Sequence, residues 1–371
     1  MKLKVSILTF HNAHNYGAVL QAYALKTKIK SMGHDVVIEN YCNNKIEKRY
    51  DAKLKIEISK RDVINPIRWL SILKKKNQIE FAQAAWEKQC YNFNEFIDKY
   101  LLEGNKTKKT IEDLEKTNTD IFICGSDQVW TSWITGGLDD VYLLNFKTNA
   151  KRVSYAASIG SEVISNEEKK KLKETLEKFD KIAVRELQIK NKLSEFINNE
   201  IYVTLDPTLL IDANDYKLIE SKKKLQEEKY VFAYFVNESD ELMEVAQKVA
   251  KDLGFKLIEL HYYLRKDLKD HNQIADIGPS EFLYYIKNSE FVLTNSFHGT
   301  VFSILYKKKF YSVYNSDVRK DGLLKTLQIS ERHIKCKKEI DLSKEINYEV
   351  VYEKLKKYRQ GSLDYLSEIL I

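Results

Sequence analysis

The sequence predicts an α/β protein made of two halves, each a parallel sheet with helices on its faces, with a cleft between them. Three observations carry this expectation. The chain has 371 residues, more than one ordinary core accommodates. Short apolar runs alternate with stretches of helical periodicity, which is the pattern of parallel sheets. That alternation breaks at Leu205-Asp-Pro-Thr208, passes through the lysine-rich Lys222-Lys-Lys224 and restarts at Tyr230-Val-Phe-Ala-Tyr-Phe-Val236, which places a boundary near residues 212–228.

The first half opens on a strand, Val5-Ser-Ile-Leu-Thr-Phe10, followed by the loop His11-Asn-Ala-His-Asn-Tyr-Gly17. Residues 18–30 carry Val19, Ala22, Tyr23 and Ile29 at helical spacing, and Gly33 suits a helix end before the strand Val36-Val37-Ile38. Residues 45–118 read as mostly helical. Short buried strands return at Ile121–Cys124, Val153–Ala156, Ile182–Val184 and Ile201–Val203, with helices near 166–179 and 186–197 between the later ones. In the second half, helices near 240–253, 280–288 and 300–306 alternate with strands near 255–260, 291–294 and 310–313. The expected division is residues 1–215, with a basic helical insertion over 45–118; residues 216–349; and a terminal helix over 350–371 returning to the first half.

Composition removes several classes of function. Hydrophobic residues make up 43 % of the chain and prolines number three, so a disordered chain is excluded. No apolar run reaches the roughly 18–20 residues that span a bilayer. The N-terminal Met1–Phe10 reads as a first strand and not as a secretion signal. Cys42, Cys90, Cys124 and Cys336 are scattered without CxxC spacing, which argues against a zinc site or a disulfide framework and fits a reducing cytoplasm. No metal is expected. The net charge is +7, and residues 45–109 hold 16 basic against 9 acidic residues. Two readings of that excess stand: a solvated helical surface, or a patch for an anionic membrane face or phosphorylated acceptor. No nucleic-acid motif accompanies it, so nucleic acid is not an expected partner.

The chemistry-bearing residues cluster where strands end. Asn15, Tyr16 and Gly17 close the first loop, and the helix after them offers N–H groups to an anion; a plain Asn/Gly turn is the alternative. Cys124-Gly-Ser-Asp-Gln-Val-Trp130 also follows a strand. There Ser126, Asp127 and Gln128 project past the sheet edge, and Trp130 and Trp133 are placed either to stack on a sugar or to fill the core. Arg185 ends a strand, suited to a carboxylate or phosphate contact or to an ion pair with Glu186. Among the histidines, His34 sits at a helix end, His261, His271 and His333 lie in polar stretches that read as exposed, and His11 and His14 fall in the first loop. His298 stands apart. It follows the strand Phe291-Val-Leu-Thr294 through Asn295 and Ser296, precedes Gly299 and opens a helix, the usual place for a ligand in an α/β sheet. The helix dipole opposes a cationic ring there, and a bound phosphate offsets it.

Taken in order, Asn15-Tyr-Gly17, Gly125-Ser-Asp-Gln128-Val-Trp130, Ser154-Tyr-Ala-Ala-Ser158, Val184-Arg-Glu186, Leu205-Asp-Pro-Thr-Leu209 and Asn295-Ser-Phe-His-Gly299 resemble the polysaccharide pyruvyl transferase family over about residues 4–330. The resemblance implies two Rossmann-like domains in a glycosyltransferase-B-like arrangement. It also implies transfer of a pyruvyl group from phosphoenolpyruvate to two hydroxyls of a saccharide, which is free or carried on a lipid, during cell-surface polysaccharide synthesis such as that of a capsule. No cofactor is implied beyond that donor. Location in the cytoplasm, with peripheral contact at the inner membrane face, follows as an expectation. The family places the proton donor on His298. Arg185, Arg319 and Lys320 are the candidate cations for the donor's carboxylate and phosphate, and Asp127 is our candidate base for the acceptor hydroxyl. One departure stands out: ketal-forming members commonly carry an arginine two positions before the histidine, in Ser-x-Arg-Leu-His, where this chain has Ser296 and then Phe297. Serine replaces neither the charge nor the fork of arginine, so Lys309 or Arg319 must substitute, or the donor is held differently. The other readings are a nucleotide-sugar glycosyltransferase on the same frame and a saccharide-binding protein without catalysis.

Overall fold

The structure, a computed structural model, describes residues 1–50, 53–54, 66–105, 107–160, 163–313, 318–335 and 337–371. The chain divides into two compact units. Unit 1 comprises Met1–Tyr50, Phe96–Leu218 and Asn347–Ile371; unit 2 comprises Asp51–Glu95 and Ile219–Ile346.

Unit 1 carries β1 (Lys4–Leu8), β2 (Asp35–Ile38), β3 (Ile121–Cys124), β4 (Lys151–Ser154), β5 (Ile182–Val184) and β6 (Ile201–Val203). The first four pair in parallel in the order β2-β1-β3-β4. Parallel bridges from Val153 to Lys181 and from Ala157 to Val184 continue that sheet into the β5-β6 pair. Every residue of β3 is buried, as a strand covered on both faces requires. The helix Tyr16–Ser31 is apolar over most of its length, and twelve of its residues are buried, so it serves as a core helix. The terminal helix Tyr348–Ile369 belongs to unit 1: Tyr365 donates to the Ser154 carbonyl at 2.8 Å, and Ser362 Oγ accepts from the Leu205 N–H at 2.9 Å.

Unit 2 carries β7 (Tyr230–Tyr234), β8 (Lys256–Leu260), β9 (Gln273–Ile274), β10 (Phe291–Thr294), β11 (Lys309–Val313) and β12 (His333–Ile334). They form one parallel sheet in the order β12-β11-β10-β7-β8-β9. The helix Asp240–Leu253 has a strongly one-sided apolar pattern and buries Leu242, Val245, Ala246 and Val249 against Val231, Ala233 and Leu293.

The division differs from the expected one in a single large respect. Residues 51–95 group with unit 2, whereas the sequence placed all of 45–118 in the first half. The cause lies in the helix Pro66–Phe96. Lys88 pairs with Asp276 at 2.5 Å, Asn92 donates to the Asp276 carbonyl at 2.8 Å, and Gln78 accepts from the Lys266 N–H at 2.8 Å. All three partners lie more than 180 residues further along the chain.

Candidate functional site

In unit 2 the chain winds from β7 to β8 on one side and returns to β10 on the other. The carboxyl ends of β7 and β10 therefore flank a topological switch point, where open α/β sheets bind ligands. Thr294, Asn295 and Ser296 build the turn there. Thr294 Oγ1 donates to the Tyr234 carbonyl at 2.6 Å. The Asn295 side chain accepts from the Val236 N–H at 2.7 Å and donates to the Asn237 carbonyl at 2.8 Å, which locks the β7 loop to the β10 turn. Ser296 is the N-cap of the helix Phe297–Leu305, its Oγ accepting from the Gly299 N–H at 3.3 Å. The helix thus begins at Phe297, three residues earlier than its apolar pattern suggests, and His298 lies in its first turn. A Cβ on Gly299 would come within 2.3 Å of Thr294 Oγ1, so glycine is required for the helix to approach the strand.

His298 is 9 % exposed, with its ring edge-on to Phe297 at 5.1 Å between centroids. Arg319 lies over that same Phe297 ring, its guanidinium 5.2 Å from the centroid. Lys320 is fully buried and donates to the Asn295 carbonyl at 2.9 Å. Lys309 opens β11 opposite Phe291 in register, at the far edge of the sheet from Ser296. Arg319 and Lys320 are therefore the cations that the fold brings to the histidine turn.

Beside this turn lies a charged cluster the sequence did not signal as a unit. His261, read from sequence as exposed, is 3 % exposed. Its Nδ1 meets Glu238 at 2.8 Å and its Nε2 meets Glu259 at 3.4 Å; His271 reaches Glu259 at 3.1 Å and Arg265 reaches Glu238 at 3.5 Å. Burial opposes a charged imidazole at His261, but hydrogen bonds to Glu238 and Glu259 and their charges outweigh it and push its pKa up to about 9. Because the folded value exceeds the ordinary 6.5, the stabilisation is fully present below that pH and is lost as pH rises through about 9. Thermal melts from pH 6 to 10 are expected to show this decline, and His261→Gln is expected to flatten it. An unchanged slope in the variant would refute the assignment.

In unit 1 the switch point falls between β1 and β3. Gln21 Nε2 donates to Thr9 Oγ1 at 2.9 Å, and Thr9 Oγ1 donates to the Ser126 carbonyl at 2.9 Å, joining the two strand ends. Gly125 takes φ +106 with the Tyr155 carbonyl 2.4 Å from where a Cβ would sit, so the turn after β3 admits no side chain there. Asp127 follows at φ 78, half-buried, its carboxylate accepting from the Gln128 N–H at 2.8 Å. Ser126 is fully buried, and among the described residues its hydroxyl has no hydrogen-bond partner. A buried hydroxyl left unpaired costs about 1–3 kcal/mol, which a bound polar group would offset. Asn15 caps the helix Tyr16–Ser31 by accepting from the Ala18 N–H at 3.2 Å, while Tyr16 and Gly17 are buried in its first turn. His11 is buried between Asn40 and the Thr9 carbonyl, and burial lowers its pKa although both hydrogen bonds oppose the shift.

Two expected ligand contacts have other roles. Trp130 is 1 % exposed and donates Nε1–H to the Tyr142 carbonyl at 3.0 Å, so it belongs to the core and offers no sugar platform. Arg185 is not an open anion-binding fork. Its Nε meets Glu186 at 2.9 Å and its Nη1 meets Asp206 at 3.0 Å, with 3 % and 0 % of the Arg185 and Asp206 side chains exposed. Burial opposes its charge, but Glu186, Asp206 and the nearby Asp127 more than offset it and raise the pKa. Asp206 also accepts from the Thr208 hydroxyl and N–H, so the cluster braces the Leu205–Leu209 turn.

A family model for polysaccharide pyruvyl transferases matches residues 15–317. The chain belongs to the polysaccharide pyruvyl transferase family. It is therefore a transferase. Among curated proteins no sequence match was found. Among solved structures, a protein assigned as a UDP-N-acetylglucosamine 2-epimerase from Listeria monocytogenes is similar over 98 % of this chain and 88 % of its own, at 12 % identity and a TM-score of 0.51. A second UDP-N-acetylglucosamine 2-epimerase is similar over 97 % and 91 %, at 12 % identity and 0.50. Arabidopsis thaliana UGT89C1 complexed with UDP-L-rhamnose aligns over 100 % of both chains at 9 % identity and 0.46. With the parallel sheets of both units, the first two similarities show a glycosyltransferase-B-like fold of Rossmann-like units.

In this transferase the family's ordered motifs follow β1, β3, β4, β5 and β6 in unit 1 and β10 in unit 2. Ser126, Asp127 and Gln128 share the turn after β3 of unit 1; in unit 2, Asn295 and Ser296 form the turn after β10, His298 and Gly299 open the helix that follows, and Arg319 and Lys320 reach this turn from the helix Val318–Thr326. Among the described residues, no group of three or more histidine, cysteine, aspartate or glutamate side chains could hold a metal ion. No described helix is long and apolar enough to cross a membrane.

Proposed function

We propose that this transferase moves the pyruvyl group of phosphoenolpyruvate onto two hydroxyls of a saccharide, forming a cyclic ketal during cell-surface polysaccharide assembly. The observation that carries this reading is His298 in the first turn of a helix at the switch point of unit 2, with Arg319 beside it. His298 gives a proton to the methylene carbon of the enol, which becomes a methyl and leaves C2 electrophilic. One sugar hydroxyl adds at C2, phosphate leaves, and the second hydroxyl closes the ketal. Of the two hydroxyl protons released, one replaces the proton spent on the methyl and the other accompanies phosphate. The N–H groups of the helix Phe297–Leu305 suit the phosphate, and Arg319 supplies the fixed positive charge that Ser296 lacks. Asp127, on the turn of unit 1, is the base proposed for an acceptor hydroxyl. The chemistry asks for no cofactor.

Arg319 provides the test. Losing a charge-assisted hydrogen bond of about 1.5–3 kcal/mol is expected to raise the KM for phosphoenolpyruvate by about 10- to 100-fold in Arg319→Ala, with the saccharide KM unchanged. A shift confined to the saccharide KM would contradict the assignment.

A further inference from the structure

Unit 2 holds an open cavity of about 520 Å³ lined by Gln78, Val236, Glu238, Tyr262, Tyr263, Arg265 and Asp267. The histidine turn adjoins it, because the Asn295 side chain bonds the backbone at Val236 and Asn237. Two of its lining residues are tyrosines adjacent in sequence. Tyr262 is 50 % and Tyr263 42 % exposed, an unusual amount of ring surface to leave in water side by side. They are not on a loose loop. Gln78 donates to the Leu264 carbonyl at 2.5 Å and accepts from the Lys266 N–H, and Gln273 brackets Arg265 by accepting from its N–H at 2.7 Å and donating to its carbonyl at 2.9 Å. Tyr262 is backed by the buried Trp86, 5.2 Å between ring centroids. Rings held this rigidly lose little freedom on contact with a ligand.

The polar groups of the cavity say what that ligand is. Glu238 and Asp267 both pair with the Arg265 guanidinium, at 3.5 Å and 2.6 Å, so the lining carries acceptors and donors at once. A phosphate-bearing ligand would meet two carboxylates with one guanidinium already shared between them. A neutral polyol has no such conflict: its hydroxyls donate to the carboxylates and accept from the guanidinium, while the C–H face of a sugar ring lies against tyrosine. Behind the cavity, the Glu238–His261–Glu259 network fixes the carboxylate that faces the ligand.

We propose that the Tyr262–Tyr263 cavity of unit 2 is a neutral-saccharide subsite, with the tyrosines as stacking platform and Glu238, Asp267 and Arg265 as hydroxyl partners. It rests on the saccharide-acceptor reading for its role in catalysis, but its binding is measurable without any turnover.

The test uses the full chain, ligand-observed NMR, and neutral methyl glycosides and di- to tetrasaccharides of glucose, galactose, mannose and N-acetylglucosamine as probes. At least one probe is expected to bind, and the dissociation constant is expected to rise about tenfold in Tyr262→Ala and Tyr263→Ala, in keeping with the worth of an aromatic contact. Tyr262→Phe, which keeps the ring, is expected to bind as the unaltered protein does, which separates stacking from misfolding. Glu238→Gln is expected to weaken binding without loss of the folded state. Should the tyrosine variants bind every probe as tightly as the parent chain, or should UDP and not sugars perturb Tyr262, the subsite is refuted. Probe binding lost in Tyr262→Ala with no phosphate released from phosphoenolpyruvate leaves the subsite standing and overturns pyruvyl transfer. Phosphate release with an unchanged saccharide KM in the tyrosine variants does the reverse.

Discussion

His298→Ala is expected to lower kcat by about 10²- to 10⁴-fold, the usual worth of a positioned general acid, while leaving the fold intact. The side chain sits at a helix start and packs edge-on against Phe297, and the cap that organises the turn belongs to Ser296 and Gly299. Its removal therefore subtracts chemistry before structure. The KM for phosphoenolpyruvate is expected to move little, since the proposed donor charges belong to Arg319 and the helix N–H groups. Steady-state kinetics with circular dichroism and thermal melts check both halves. Activity within tenfold of the parent chain would remove His298 as the proton donor.

The second large effect is on stability. Arg185→Leu is expected to cost about 3–5 kcal/mol, because it strands the buried carboxylates of Asp206 and Glu186 without their cation. Arg185→Lys is expected to rescue only part, since one ammonium cannot replace a fork that meets two carboxylates. Urea unfolding read by far-ultraviolet circular dichroism measures it. If instead the variant unfolds like the parent chain and loses only affinity for phosphoenolpyruvate, Arg185 is a ligand contact and the bracing role is wrong.

These two residues also show what the sequence could and could not reveal. The turn around His298 was legible because three local signals coincide: an apolar strand, the polar Thr294-Asn295-Ser296 break and a helical run. The helix starts earlier than its apolar spacing suggests because the Ser296 hydroxyl captures the Gly299 N–H. The fate of Arg185 was hidden because its partner Asp206 is 21 residues away and is brought close only by the pairing of Val184 with Val203. Trp130 follows a strand end whether it faces a ligand or the core, and the decision falls to Tyr142. The placement of residues 51–95 rests on hydrogen bonds to Lys266 and Asp276, which no local pattern encodes. His261, which the sequence reads as exposed, was hidden in the same way: it follows the end of β8, and its closest partner Glu238 lies 23 residues earlier, on the loop after β7.

The most direct test of pyruvyl transfer is to incubate the full chain with phosphoenolpyruvate and a saccharide panel in D2O and to follow phosphate and product together. Phosphate is expected to be released in step with a saccharide that gains the mass of a pyruvyl ketal, with deuterium in its methyl group, and His298→Ala is expected to form both products about 10²- to 10⁴-fold more slowly. Consumption of a nucleotide sugar with phosphoenolpyruvate untouched would contradict pyruvyl transfer.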